Sequence, residues 1–339
     1  MTAAIGRWAR PLLGSAVTGF FLWLLLRQLN FTEAGVALAR ISLPSLLVAF
    51  CFLAGGYSLR IVRWWWMLRV LDPHVPVGAC GWAFLVSIAI NNVLPFRAGD
   101  VVRVVGFRTE LRLPPMWLLG TLVIERLLDL MTLLAFFFVG LLSAADGGLP
   151  DTFIHLALWI AAAGVATVLG ILCFSKAIER AIEWVAERPN LARRGWSGRI
   201  RRHGGHFFAA LGMLRTPALT LQLIGLSTAV WTLEGGVFAT VSRALGTHVS
   251  VAAPWFALAT GTLATLLPSS PGYIGTFDYF AMLGLVAYGA DREMATAFAV
   301  IVHAVLWLPL TVAGMAYFLR PGARMLRRQV AAAVSAQEK

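Results

Sequence analysis

The sequence predicts an all-α polytopic membrane protein, with about six full transmembrane helices and two re-entrant helical hairpins arranged as an inverted repeat. Hydrophobic residues make up 59% of the 339 residues and charged residues only 13%, with a mean hydropathy of +0.78. This composition is too apolar for a soluble surface. Two further observations define the arrangement. Long apolar runs recur along the chain, and two apolar segments end in breaks that contain proline and glycine.

Six apolar segments approach the roughly 20 residues that a helix needs to cross a bilayer. They cover residues 12–29, 41–60, 115–143, 152–174, 218–243 and 293–319. The first follows two arginines, as in a signal sequence, but the A-x-A pattern at 37–39 lies well beyond its apolar run. We therefore interpret this segment as an uncleaved first helix.

Two other apolar segments, 77–94 and 252–267, run into breaks that contain proline. A shorter segment follows each break, at 101–112 and 276–290. The charges of the loops require that the segments around each break add no net crossing, or an odd number of crossings when counted together with the following helix. We therefore predict two re-entrant hairpins, one entering the membrane from each side.

The distribution of Lys and Arg orients the chain, because cytoplasmic loops carry an excess of these residues. The segment 176–217 is strongly basic, whereas 144–151 and 244–251 contain no Lys or Arg. The first is predicted to be cytoplasmic and the other two external. A 60–76 loop and a basic 320–339 tail are also placed inside, so we expect both termini in the cytoplasm of a bacterial cell, with the chain in its inner membrane. The arginines assigned to the 60–76 loop are Arg60, Arg63 and Arg69.

An internal repeat supports this arrangement within the single transmembrane domain 1–339. "NVLPFRAGDVVRVVGF" and "TLLPSSPGYIGTFDYF" align without a gap, and each places proline and glycine between two apolar segments. The first repeat covers 41–143 and the second, inverted, covers 218–319. Irregular backbone at membrane depth is tolerated where it is buried in protein or lines a wet cavity, so we expect a cavity at these breaks. The predicted break residues are Pro95, Gly99, Pro268, Pro271, Gly272 and Gly275.

"LPFRAGDVVRVVGF", the following "ERLLD" and then "LPSSPGYIGTFD" resemble the paired signatures of the lysylphosphatidylglycerol synthase transmembrane region, a flippase-like family that includes hopanoid-associated membrane proteins. The resemblance spans roughly residues 10–320. The family has Gly-Glu where this chain has Gly99-Asp100, and Pro-Gly-Gly with a closing Glu where it has Pro271-Gly272-Tyr273 and Asp278. Both carboxylates are retained, while Tyr273 alters the pocket. The soluble aminoacyl-transferring domain is absent, so synthase activity is not expected.

Charged residues inside apolar segments are the main candidates for function. Glu125, Arg126 and Asp129 lie within 115–143, where each would cost about 2.5–3.5 kcal/mol at a helix centre facing lipid. They must therefore face protein or water. Two interpretations stay open: a structural cluster of ion pairs, or part of a path for a lipid headgroup.

The breaks supply the remaining polar candidates. Arg97, Asp100 and Arg103 follow the first break, where exposed helix ends and arginine favour a bound phosphate. For Arg103, Arg108 and Arg112 the alternative is that their side chains extend to the membrane interface. The other predicted cavity residues are Asn91, Asn92, Ser269, Ser270, Tyr273 and Asp278. The cavity would be basic on one side and neutral or acidic on the other, which suits a headgroup carrying both signs.

Other polar, aromatic and basic features of the sequence are interpreted one by one. Glu234 lies within 218–243 and is a candidate proton carrier, whereas His303 within 293–319 is more typical of a hydrogen-bonded packing residue. The 64–66 run of three tryptophans is interpreted as an interfacial anchor. The basic 176–217 segment is expected to lie along an anionic leaflet.

The leading functional hypothesis is a lipid flippase that carries a headgroup through the polar cavity. The expected partners are anionic or zwitterionic phospholipids or glycolipids, with a lipid-synthesis enzyme as a possible protein partner. The net charge of +12 is assigned to the membrane surface and not to nucleic acid. No H-E-x-x-H, G-x-S-x-G or P-loop motif is present, so we expect no enzymatic activity, metal or cofactor. A lipid-modifying enzyme and a scaffold for lipid-synthesis enzymes are the alternatives.

Overall fold

The computed structural model describes residues 41–94, 97–144, 196–267 and 269–323, together with a few isolated positions. All the regular elements in these ranges are helical. Four of the helices are long and apolar enough to span a membrane. The predicted all-α polytopic membrane fold is therefore confirmed.

Some predicted segments lie outside the described residues, so the total of six spans stays a prediction. Apart from a few isolated positions, these are the predicted spans 12–29 and 152–174, the loop 145–151, the segment 176–195 and the tail beyond 323. The break residues Pro95 and Pro268 also lie outside the described residues.

Ten α-helices make up the described structure. The first five are α1 (Leu43–Leu71), α2 (Val77–Val93), α3 (Ala98–Val101), α4 (Arg108–Leu111) and α5 (Pro115–Ala144). The others are α6 (Trp196–Gly212), α7 (Pro217–Ala244), α8 (Ala253–Ala264), α9 (Thr276–Val286) and α10 (Arg292–Leu319). Helices α5, α7 and α10 agree with the predicted spans to within one residue at each end.

Helix α1 is longer than predicted, because it continues to Leu71 through the expected 60–76 loop. Arg60 and Arg63 are buried within it and meet carboxylates of other helices, so their charges do not force the chain into water. The interfacial interpretation of the three tryptophans is wrong for Trp64, which is fully buried, while Trp66 is exposed.

The shorter segment predicted after the first break, at 101–112, is divided into three short helical pieces. Helix α3 passes into a π-helical segment, Val102–Gly106, and α4 follows after Phe107. π-Helical turns are rare and are often found at functional sites. This one directs Arg103 into the protein interior, where only 2% of the residue is exposed.

Side chains at the helix starts and loops account for several boundaries. The Ser42 hydroxyl accepts a hydrogen bond from the Ser45 amide at the start of α1, and the Asp291 carboxylate caps α10 in the same way. In the loop between α1 and α2, Asp72 accepts hydrogen bonds from the backbone and ring of His74. The backbone bond lowers the pKa of the Asp72 carboxyl.

The order of long helix, apolar helix, break, short helix and long helix occurs twice, from α1 to α5 and from α7 to α10. The two halves are intertwined. Helix α1 packs against α7, α2 of the first half packs against α10 of the second, and α8 of the second packs against α5 of the first. Helix α2 in the first half corresponds to α8 in the second, and α5 corresponds to α10. The α2–α10 contact and the α8–α5 contact are therefore equivalent. The opposite orientations of the halves in the membrane stay a prediction.

Glycines allow the helices to approach closely in both of these equivalent contacts, α2–α10 and α8–α5. A Cβ atom on Gly314 of α10 would lie 2.3 Å from the Leu85 carbonyl oxygen of α2. One on Gly140 of α5 would lie 2.5 Å from the ring of Phe256 in α8. Contacts between small residues are a common way for membrane helices to approach each other.

Helix α6 is amphipathic and packs on α5. Its apolar residues Phe208, Ala210 and Leu211 are buried, and a Cβ atom on Gly120 of α5 would lie 2.5 Å from Ala210. The helix forms the described part of the predicted basic segment 176–217.

Candidate functional site

A cavity lies where the two breaks meet. Its empty space, including the part open to solvent, is about 850 Å³, and α1, α2, α5 and α7 to α10 contribute to its wall. Six of the predicted site residues line it: Asn91, Asn92, Arg97, Arg126, Glu234 and Tyr273.

The side chain of Asn91 organises the first break. Its carbonyl oxygen accepts a hydrogen bond from the Gly99 amide at 2.8 Å, and its amide nitrogen donates to Asp100 at 3.0 Å. The backbone of Gly99 lies so near α2 that an added Cβ atom would be 1.9 Å from the Ser87 carbonyl oxygen. The break therefore requires glycine at this position.

Asp100 in turn holds Arg126. One terminal nitrogen of the guanidinium lies 3.1 and 3.2 Å from the two carboxylate oxygens. The Arg126 side chain is 38% exposed, and that of Asp100 only 14%. The pair therefore presents an arginine at the cavity wall and keeps its carboxylate behind it.

The second break repeats this arrangement with different residues. Asp278 accepts a hydrogen bond from the Gly275 amide at 2.8 Å with one oxygen and contacts His303 at 2.8 Å with the other. His303 lines the cavity, whereas Asp278 does not. Each half thus has an acidic residue after its break that holds a basic residue of the following long helix. Ser269 and Ser270 do not line the cavity.

Arg97 and Tyr273 connect the two breaks. The Arg97 Nε atom donates a hydrogen bond to the Tyr273 hydroxyl at 3.1 Å. Among the described arginines that line the cavity, Arg97 has no carboxylate partner, whereas Arg60 and Arg126 do. Arg97 is therefore the arginine best placed to receive an external anion.

A buried network of charges supports one wall. Arg60 of α1 donates to Glu234 of α7, which lines the cavity. Arg60 also lies 3.7 Å from Asp129, and Arg63 donates to the same carboxylate at 2.7 Å. The indole of Trp231 donates to Asp129 at 3.0 Å. Asp129 therefore joins α1, α5 and α7 and does not itself reach the cavity.

Arg103 and Glu125 form a separate pair away from the cavity lining. The two hydrogen bonds between them measure 3.0 and 2.6 Å, and both side chains are only 2% exposed. The guanidinium carbon of Arg103 lies 3.9 Å from the ring centre of Trp64 and 4.4 Å from that of Phe84. This burial contradicts the interpretation of Arg103 as an interfacial side chain.

The predicted cluster on α5 therefore divides into two roles. Consecutive residues of an α-helix point roughly 100° apart, so Glu125 and Arg126 face different surroundings. Glu125 and Asp129 each bind a buried arginine, and only Arg126 lines the cavity.

Several cavity residues were missed by the sequence analysis. Tyr57 and Arg60 were assigned to a span and a loop, and His303 was interpreted as a packing residue, yet all three line the cavity. The spacing of Tyr57, Arg60 and Arg63 was an available signal, because side chains three apart share a helix face. Thr262 and Thr265 carried no such signal.

The fold and the site define a multi-pass α-helical membrane protein with a charged cavity between two broken helices. The family model described as "Lysylphosphatidylglycerol synthase TM region" matches residues 12–314, so the chain belongs to this family, as its motifs had indicated. This membership connects the protein with membrane lipids.

The chain is also similar to "Glycosyltransferase AglD" of Haloferax volcanii. The two are 29% identical over 279 residues, which cover 74% of this chain and 44% of AglD. The chain thus spans less than half the length of this curated relative. The expectation that the protein is not an enzyme is contradicted by this relative, which is named for an enzymatic activity.

Proposed function

We propose that the cavity binds the polar headgroup of a membrane lipid and that the protein moves this lipid between the two leaflets. The observation that carries the proposal is the position of Arg97 and Arg126 in one cavity between two broken helices. In this proposal the polar headgroup binds in the cavity while the acyl chains stay in the bilayer.

The recognition step follows from the charges. Arg97 offers guanidinium donors with no carboxylate partner among the described residues, and Arg126 offers the exposed part of a paired guanidinium. A guanidinium can donate two parallel hydrogen bonds to the oxygens of one phosphate or carboxylate group. An anionic group of the headgroup would therefore lie between Arg97 and Arg126. Glu234, Thr262 and Thr265 also line the cavity and would contact a cationic or hydroxyl part of the headgroup.

The movement step rests on the breaks. Unwound backbone at membrane depth is stable where it faces protein or water, and in transporters such breaks carry the substrate site. If the halves have opposite orientations, one hairpin opens towards each leaflet. The proposed location is a bacterial inner membrane with both termini in the cytoplasm and α6 along the inner, anionic leaflet.

A second candidate is favoured by the similarity to AglD. In this alternative the cavity holds a lipid that takes part in glycosyl transfer, either as acceptor or as product. The same arginines would bind the lipid, but the lipid would leave the cavity only after a sugar had been transferred from a donor.

The test is mass spectrometry of lipids that co-purify with the protein from native membranes. We expect one anionic lipid class to be enriched with the wild type and lost with Arg97→Gln and with Arg126→Gln. The control is Arg108→Gln, because Arg108 is exposed and lies outside the cavity. Equal lipid profiles for all four proteins would contradict the proposal.

Reconstituted vesicles separate the two candidates. We expect the wild type to move a fluorescent analogue of the enriched lipid between leaflets without any sugar donor. Movement only when a nucleotide sugar is supplied would favour the glycosyl-transfer candidate. No movement under either condition would contradict the flippase proposal.

A further inference from the structure

Two residues with unusual backbone conformations touch each other across the cavity. Arg97 in the first break has a φ of 53° and Tyr273 in the second has a φ of 59°. Residues other than glycine rarely adopt this left-handed backbone conformation, and it persists where surrounding contacts stabilise it. The hydrogen bond from Arg97 Nε to the Tyr273 hydroxyl is such a contact.

This bond determines how Arg97 can bind a ligand. A guanidinium has five N–H donors, one on Nε and four on the two terminal nitrogens. The Nε donor is used by Tyr273, and this is the hydrogen bond that the Arg97 side chain makes in the described part of the chain. An anion can therefore be held only at the terminal edge of the fork, since the Nε edge is occupied.

A second donor in the cavity wall has no partner. The indole nitrogen of Trp307 is buried and forms no hydrogen bond within the described structure. It lies beside Gly272, next to Tyr273 in the chain, and a Cβ atom on Gly272 would be 2.8 Å from this nitrogen. An unpaired buried donor is unfavourable, so this site favours a ligand that brings an acceptor.

We propose that Tyr273 determines the headgroup specificity of the cavity. Its hydroxyl positions Arg97 so that the terminal edge of the guanidinium receives a compact oxyanion, and its ring occupies the space that a bulky headgroup would need. The inference rests on the proposed lipid-binding function and names its substrate class: lipids with a small anionic headgroup.

The test measures binding of two anionic lipids, phosphatidylglycerol with a small headgroup and phosphatidylinositol with a large one, to the purified full-length protein by native mass spectrometry. We expect the wild type to prefer phosphatidylglycerol. Tyr273→Phe should weaken binding of phosphatidylglycerol about tenfold, because a hydrogen bond that orients a charged group is lost. Tyr273→Gly should bind both lipids equally.

Two controls separate a positioning role from a structural one. Tyr288→Phe also removes one hydrogen bond, from the Tyr288 hydroxyl to the Gly140 carbonyl, but outside the cavity, and should bind as the wild type does. Tyr273→Gly relieves the left-handed strain but also removes a ring that packs on the core, so the stability control is Tyr273→Phe, which keeps the ring and whose thermal stability should not fall. A loss of stability together with equal weakening for both lipids would mean that Tyr273 is only structural.

The outcomes distinguish the two proposals. If the wild type selects phosphatidylglycerol, but Tyr273→Phe binds it as tightly and Tyr273→Gly keeps the same preference, the role of Tyr273 is refuted and lipid binding stands. If the wild type binds neither lipid above the level of a neutral lipid, the proposed function itself fails.

Discussion

Glu125 and Arg126 are adjacent in α5, but replacing each with glutamine is expected to have different effects. The first change should lower stability and the second should abolish lipid binding. Glu125 and its partner Arg103 have side chains that are only 2% exposed. Glu125→Gln would leave a buried guanidinium without a counter-charge. Arg126 lies at the cavity wall with a side chain that is 38% exposed, and the side chain of its partner Asp100 is 14% exposed.

The magnitudes follow from this difference in burial. Removing one partner of a buried ion pair typically costs about 3–5 kcal/mol, so Glu125→Gln should lower the free energy of unfolding by that amount. The Arg126–Asp100 pair is more exposed, and Asp100 keeps its hydrogen bond from Asn91, so the expected cost of Arg126→Gln is lower than that of Glu125→Gln. Arg126→Gln should therefore be more stable than Glu125→Gln and yet lose its lipid.

The assay can use a cysteine of the chain as its reporter. Cys80 is fully buried, whereas Cys51 is exposed. With Cys51→Ser and Cys173→Ser in the background, a thiol-reactive dye would respond only when Cys80 becomes accessible on unfolding. We expect a clearly lower melting temperature for Glu125→Gln and a smaller decrease for Arg126→Gln. Equal destabilisation by the two substitutions, or full lipid binding by Arg126→Gln, would refute the division of roles.

Two further predictions test the break and the orientation. Gly99→Ala should prevent stable folding, because its Cβ atom would collide with the backbone of α2, whereas Gly205→Ala, with nothing within 4 Å, should be tolerated; near-equal yields of folded protein would contradict the break geometry. A cysteine replacing the exposed Ser250 should be labelled by a membrane-impermeant reagent from outside the cell, and one replacing Gly205 only after the cells are opened. The reverse pattern would overturn the orientation.

Apolar length and the proline–glycine breaks were sufficient to predict much of the fold. Helices α5, α7 and α10 have long apolar runs with clear ends, so their boundaries followed directly. The breaks were visible because proline and glycine interrupt apolar segments. The segment 101–112 was harder to predict, since the change from α3 to a π-helical turn depends on Arg103 reaching Glu125 of another helix.

The charges were less predictable, because a sequence shows a charge but not its partner. Arg60 and Arg63 were counted as loop residues, yet each meets a carboxylate far away in the chain: Glu234 lies 174 residues beyond Arg60, and Asp129 lies 66 beyond Arg63. The same difficulty applies to Glu125, Arg126 and Asp129. Only the positions of their partners decide which of them reaches the cavity.

The long separation of these partners has a consequence for biogenesis. A ribosome delivers α1 to the membrane before α5 and α7 have been synthesised, so Arg60 and Arg63 arrive without Glu234 and Asp129. Two unpaired guanidinium groups are costly in hydrocarbon. We expect the nascent chain to keep α1 beside the insertion machinery, or at the lipid surface, until the later helices supply the carboxylates. Arg63 is paired once α5 is made, whereas full pairing of Arg60 also depends on α7 of the second half.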